Sequence, residues 1–136
     1  MVLNEGQMHN VLRVSRVIAI VGLSPDDEKP SNRVGRYLQE KGYRIVPVNP
    51  AHEEILGEKS YKSLADIPDK VDIVDIFMRA ERVMPVVEEA LKLNPRAIWL
   101  QLGIKSDDAR QLVEKSDVGY VEDRCVKIEH SKHTSA

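Results

Sequence analysis

VIAIVGLS, residues 17–24, decides the fold: four β-branched residues and one alanine in an unbroken run, then glycine, then a polar loop reaching Arg33. An apolar run this short and closed by Gly22 reads as a strand buried on both faces, the kind found in parallel sheets. Pro25, Asp26, Asp27 and Glu28 follow it, with no small-residue cleavage site, so it is not the apolar region of a secretory leader.

Working outward, similar runs recur at 44–48 (RIVPV), 72–77 (DIVDIF), 97–102 (AIWLQL) and 118–121 (VGYV). Amphipathic segments separate them, which is the rhythm of βα units. Residues 3–14 place Met8, Val11 and Leu12 on one side of a helix that ends near Arg13 and Arg16, for an outer face. Residues 31–41 carry Val34, Tyr37, Leu38 and the stem of Lys41 at i, i+3, i+4 and i+7, and Gly42 ends them. Within the longer connection 49–70, Ser63-Leu64-Ala65-Asp66 has capping-box spacing and predicts a one-turn helix. Val83, Val87, Ala90 and Leu91 mark a helix over 81–93, whose regular part should begin near Met84 because of Pro85. Ser106 caps the next, with Asp107 and Asp108 in its first turn and Ala109, Leu112 and Val113 behind. The expectation is one α/β three-layer domain over 1–136, with a core of 13–130 and a loose tail at 131–136. Its five-stranded parallel sheet, with runs numbered along the chain, should have order 3-2-1-4-5 and a ligand crevice at the carboxyl ends of strands 1 and 4.

Composition narrows the function. The chain has 136 residues, about one domain at ~100–200 residues each. Its formal net charge of −2 supplies no field for nucleic acid or an anionic membrane, and no apolar stretch approaches the ~20 residues of a span. Aromatics are 4% of residues, too few for a single-strand stacking surface. The lone Cys125 excludes an internal disulfide and a cysteine-built zinc site, and fits a reducing cytoplasm. His130 and His133 have no carboxylate or cysteine completing a metal set and read as a solvated tail; no metal is expected. Trp99 and Phe77 read as core. Asp72 marks a strand entrance, while Asp75, inside an apolar strand, needs a partner.

The first crevice loop offers Gly22, which lets a ligand approach the backbone, and a helix N-terminus suited to phosphate. The alternative is that Gly22 only turns the chain and Ser31 only caps the helix. There is no G-x-x-x-x-G-K-[ST], so phosphate-loop NTP hydrolysis falls, and no G-x-G-x-x-G. The second run ends in Val48-Asn49-Pro50, where an NAD site wants an acidic residue. A neutral asparagine tolerates a phosphorylated ribose, which NADP and coenzyme A both carry. The acidic triplet Asp26-Asp27-Glu28 opposes a polyanion unless it faces solvent.

Gly22-Leu23-Ser24, Pro30-Ser31-Asn32-Arg33-Val34, Gly42 through Pro50, Gly57, Tyr61-Lys62-Ser63-Leu64, Asp72-Ile73-Val74, Phe77-Met78-Arg79, Trp99 through Gly103 and Arg124 through His130 stand in an order and spacing that resemble the small stand-alone CoA-binding proteins. These are single Rossmann-like domains similar to the CoA-binding domain of the succinyl-CoA synthetase α-subunit, and the resemblance spans about residues 13–130. It implies phosphates against Gly22, Leu23, Ser24, Lys29 and Arg33, and adenosine between Val48, Asn49, Pro50 and Phe77, Met78, Arg79. Arg79 is then the first choice for a phosphate contact and Arg33 the second. Gly103 would line the pantetheine side, with Gln101 orienting it. Coenzyme A or acyl-CoA is the implied ligand. The function expected is a non-catalytic, cytoplasmic carrier or sensor; the alternative is an NADP-dependent or other nucleotide-using enzyme subunit needing a partner chain. Cys125 reads as a small buried hydrophobe, with a mixed disulfide to CoA as the other reading.

Overall fold

Asn4 opens the first helix, α1 (Glu5–Val14), with a reciprocal cap: its side-chain oxygen accepts from the Gln7 N–H, and the Gln7 side chain accepts from the Asn4 N–H, both at 2.8 Å. The computed structural model describes residues 1–134, and in it the decisive run forms β1 (Val17–Val21). Helix α2 (Pro30–Glu40) starts with proline in its first turn, where the missing N–H is no loss. Then come β2 (Arg44–Val48) and a small antiparallel hairpin of β3 (Glu54–Ile55) and β4 (Glu58–Lys59). A one-turn 3-10 helix at Leu64–Asp66 leads to β5 (Ile73–Ile76). A 3-10 turn at Ala80–Arg82 feeds α3 (Val83–Lys92), so Pro85 falls in the helix's first turn. The chain closes with β6 (Ala97–Leu100), α4 (Asp107–Glu114), β7 (Gly119–Val121) and α5 (Val126–Thr134).

The sheet is five-stranded, parallel and Rossmann-like, as expected, but its order is β2-β1-β5-β6-β7, which numbered along the five runs is 2-1-3-4-5. The expected order 3-2-1-4-5 put the reversal after the third run; the chain reverses after the second. Ile18, Ile20 and Ile45 pack on one face with Met8, Leu12, Leu38 and Val126, the side of α1, α2 and α5. Ala19, Val46 and Val48 face the other way, onto Leu64, Ile67 and Val71 of the connection after β2 and onto Val87 and Val113 of α3 and α4. The two crossovers that flank β2 thus lie on opposite faces. With right-handed crossovers, opposite faces mean opposite directions, so β5 lands on the far side of β1. The switch point lies between β1 and β5, not between strands 1 and 4.

Residues 1–3 cover the edge of β7: the Leu3 N–H donates to the Tyr120 carbonyl at 2.9 Å, and the Tyr120 N–H to the Met1 carbonyl at 2.8 Å. Residues 131–134, expected to be loose, continue α5; 135–136 lie outside the described residues. His130 is not solvated. It is buried, with Nδ1 2.8 Å from the Tyr37 hydroxyl and its ring edge-on to Tyr37 and Tyr43. Trp99 is fully buried, donating from Nε1 to the Arg124 carbonyl at 2.8 Å. Among the described residues, no helix is long and apolar enough to cross a membrane.

Candidate functional site

The carboxyl ends of β1 and β5 diverge at Gly22 and Phe77. The Gly22 N–H donates to the Val48 carbonyl at 3.0 Å and the Phe77 N–H to the Val21 carbonyl at 2.9 Å, the last rungs on either side of β1. Gly22 has φ +82°, and a Cβ there would stand 2.2 Å from the Phe77 carbonyl oxygen. No other residue type fits without moving a strand end.

Beside this contact lies a cavity of about 340 Å3, with Val21, Gly22, Val48, Asn49, Pro50, Phe77 and Met78 contributing to its wall. Six of these seven were expected at the site, and the structure brings them together. Lys62, Ser63, Leu64, Val86 and Glu89 complete the wall and were not assigned to it from sequence. The hairpin returns the chain so that Tyr61 pairs beside Val48 and Asn49, which carries Lys62–Leu64 to the strand ends. Glu89 of α3 holds this segment: its Oε1 accepts from the Leu64 N–H at 2.6 Å and the Ala65 N–H at 3.3 Å. The expected Ser63 side-chain cap is absent; Ser63 Oγ instead donates to Asp66 at 3.1 Å. A lysine fourteen residues past the end of β2 carries no local sign of returning to it, so Lys62 was legible only as part of the quoted motif.

Asn49 works as a latch. Its Nδ2 donates to the Leu23 carbonyl at 3.0 Å and its Oδ1 accepts from the Ala51 N–H at 2.9 Å, fastening the loop after β1 to the loop after β2. Leu23 itself is fully buried, backbone included, so the expected phosphate contact finds no exposed atom there. The first loop is laced to itself: the Ser24 N–H donates to Ser31 Oγ, the Asp26 N–H to Ser24 Oγ, the Glu28 N–H to Asp26 Oδ1 and the Lys29 N–H to the Asp26 carbonyl. Ser31 therefore ties the loop down, and Lys29 holds the helix N-cap position with no side-chain cap. The side chains of Asp26, Asp27 and Glu28 are exposed.

Besides Leu23, Ser24 and Lys29 of the first loop, four expected contacts are not part of this wall. Arg33 is exposed and lines a shallow depression with Arg36, Tyr37, Glu40 and Lys127, on the outer side of α2. Arg79 is exposed at the start of the 3-10 turn. Gln101 is buried, and its Oε1 accepts from the Val126 N–H at 3.1 Å, which moors α5. Gly103, φ +86°, donates its N–H to Asp123 Oδ1 at 2.7 Å. The strand order explains the last two: with β5 between β1 and β6, the end of β6 is one strand removed from the switch point.

Asp75 of β5 is fully buried beside Ile20 and Trp99 in the register, and neither of its oxygens accepts a hydrogen bond from any of the described residues. Burial pushes its carboxyl well above the usual range, which favours the neutral acid. Asp72 is different. It accepts from the Arg16 and Val17 N–H groups at 2.9 and 3.0 Å with Arg96 at 3.5 Å; burial raises its pKa, but these partners outweigh that and lower it. Cys125 is half-buried, packed against the α1, α2 and α5 side of the core.

With this geometry in view, the family described as "CoA binding domain" matches residues 16–131. The uncharacterized protein YneT of Bacillus subtilis is 34% identical over 128 residues, covering 94% of this chain and 95% of that protein. The acetate–CoA ligase [ADP-forming] I of Archaeoglobus fulgidus is 36% identical over 91 residues, 66% of this chain and 13% of the ligase. A solved structure from Thermus thermophilus superposes with TM-score 0.91 at 34% identity, covering 96% of this chain and 99% of that one.

Proposed function

We propose, from the premise that this chain belongs to the CoA-binding-domain family, that it binds coenzyme A or an acyl-CoA at the carboxyl ends of β1, β2 and β5, as a non-catalytic carrier or sensor in the cytoplasm. One observation carries the reading. The cavity at the switch point is walled by the ends of three strands, and glycine stands at the one position where a side chain would collide with the neighbouring strand. Its apolar wall, Val21, Val48, Leu64, Phe77, Met78 and Val86, suits the faces of a purine. Asn49 brings no negative charge to the ribose position.

Apart from Lys62, the polar side chains along this wall are engaged in holding the protein's own loops, Asn49 to Leu23 and Ala51, Ser63 to Asp66, and Glu89 to the 3-10 turn. That supports a binding role over a chemical one. The chain aligns with only 13% of the Archaeoglobus ligase, so ligation belongs to that larger protein. Thermal melts with CoA, acetyl-CoA, NADP and NAD at equal concentration test the reading, because a ligand bound only by the native state must raise the melting temperature. CoA or acetyl-CoA should give the largest rise. An equal or larger rise with NADP favours the dinucleotide alternative, and no rise with any of them removes the nucleotide reading.

A further inference from the structure

The cavity at the switch point is not closed on its hairpin side. Pro50 and Lys62 also belong to the wall of an adjoining polar cleft of about 600 Å3, completed by Ala51, His52, Glu53, Lys59 and Ser60. Two lysines face one glutamate in that cleft. The hairpin register sets Lys59 opposite Glu54, and its Nζ stands 5.2 Å from the centre of the Tyr61 ring, which holds the cation over an aromatic face. Neither Lys59 nor Lys62 has a carboxylate oxygen within 4.0 Å among the described residues, and the same holds for Arg33 and Arg79, whereas Arg44, Arg96, Lys105, Arg110, Arg124 and Lys132 are paired. The arginines expected to meet phosphate, Arg33 and Arg79, are on neither wall. The backbone N–H groups of Ser24, Asp26, Glu28 and Lys29 are bonded within their own loop. Lys62, on the wall itself, and Lys59 thus bring positive charge to the hairpin side of the cavity.

We infer that the polar cleft receives the 3′-phosphate of the adenosine, with Lys62 at the shared wall as the residue that distinguishes CoA from dephospho-CoA and Lys59 as its second cation; this rests on the CoA reading above. A phosphomonoester carries about −1.5 to −2 charges at neutral pH, and a lysine ammonium pairs with it as a point charge. Lys62 spans both cavities, so it meets the ribose end of a ligand whose base lies against Phe77 and Met78. Dephospho-CoA keeps the base, ribose, pyrophosphate and pantetheine and lacks only this group.

Calorimetric titration of the full chain with CoA and with dephospho-CoA tests the assignment in wild type, Lys62→Ala and Lys62→Arg, with Lys59→Ala as the second site. Both lysines are exposed, and matching melting temperatures establish that the variants fold. The wild type should bind CoA about tenfold more tightly than dephospho-CoA, a solvent-screened charge effect. Lys62→Ala should erase most of that preference by weakening CoA alone, Lys59→Ala should reduce it in part, and Lys62→Arg should keep it. Equal weakening of both ligands by Lys62→Ala, or no preference in the wild type, overturns the inference while CoA binding stands. Failure of the wild type to bind either ligand overturns the CoA reading, and the inference with it.

Discussion

Gly22 joins backbone conformation to ligand access. Its positive φ and the nearness of the Phe77 carbonyl leave room for hydrogen only. Gly22→Ala should therefore lower unfolding free energy by about 2 kcal/mol or more, through left-handed strain and displacement of a strand end. It should also abolish CoA binding, read by denaturant melts and calorimetry on the same samples; a variant of normal stability would contradict the contact. Asp75 gives a prediction with a defined sign. Its folded-state pKa is raised by burial, so above the ordinary carboxylate range the native state holds a proton the unfolded chain has released. Stability then falls as pH rises from that range through the raised value. Asp75→Asn does not titrate. Its melting temperature relative to wild type should climb as pH rises above the ordinary carboxylate range. A constant difference over that rise would mean Asp75 is not held protonated.

The start of α5 is moored by a buried hydrogen bond, from the Val126 N–H to Gln101 Oε1. Gln101→Ala should cost about 1–3 kcal/mol, because it leaves a buried donor without its partner. CoA affinity should change little, since Gln101 is outside the cavity wall; a large loss of affinity without a loss of stability would return it to the site. This helix also shows where the sequence was silent. Its inward positions are Val126, Glu129 and His130 while Ile128 is exposed, so no apolar stripe announces it. The hairpin was equally hidden, since each strand has two residues and Leu56 takes positive φ beside Gly57. By contrast β1 and β2 were legible to the residue, because an unbroken apolar run bounded by Gly22 or by Asn49-Pro50 has few other readings. Ser106 announced α4 through its cap, and its Oγ does accept the Ala109 N–H.

For the molecule as a whole, the strand order turned on which face the connection 49–72 covers, and that was settled by Leu64, Ile67 and Val71 packing opposite α2. Period and propensity mark these residues as apolar but do not name the face. The same gap limited the site. Gly22, Val48, Asn49 and Pro50 lie at the ends of two strands that neighbour each other in the expected and the observed order alike, whereas Phe77 and Met78 were expected only from the family resemblance, and Gly103 and Gln101 depended on which strand neighbours β1. Arg33 and Arg79 were chosen for charge, and charge does not say where an exposed side chain points. The central claim is that the mouth between β1 and β5 is where CoA binds. Amide chemical-shift mapping during a CoA titration tests it most directly. The account predicts the largest changes at residues 22–24, 48–50, 62–64 and 77–78; an unchanged spectrum, or changes gathered at the opposite end of the sheet around Arg16, Gly42 and Gly119, would contradict it.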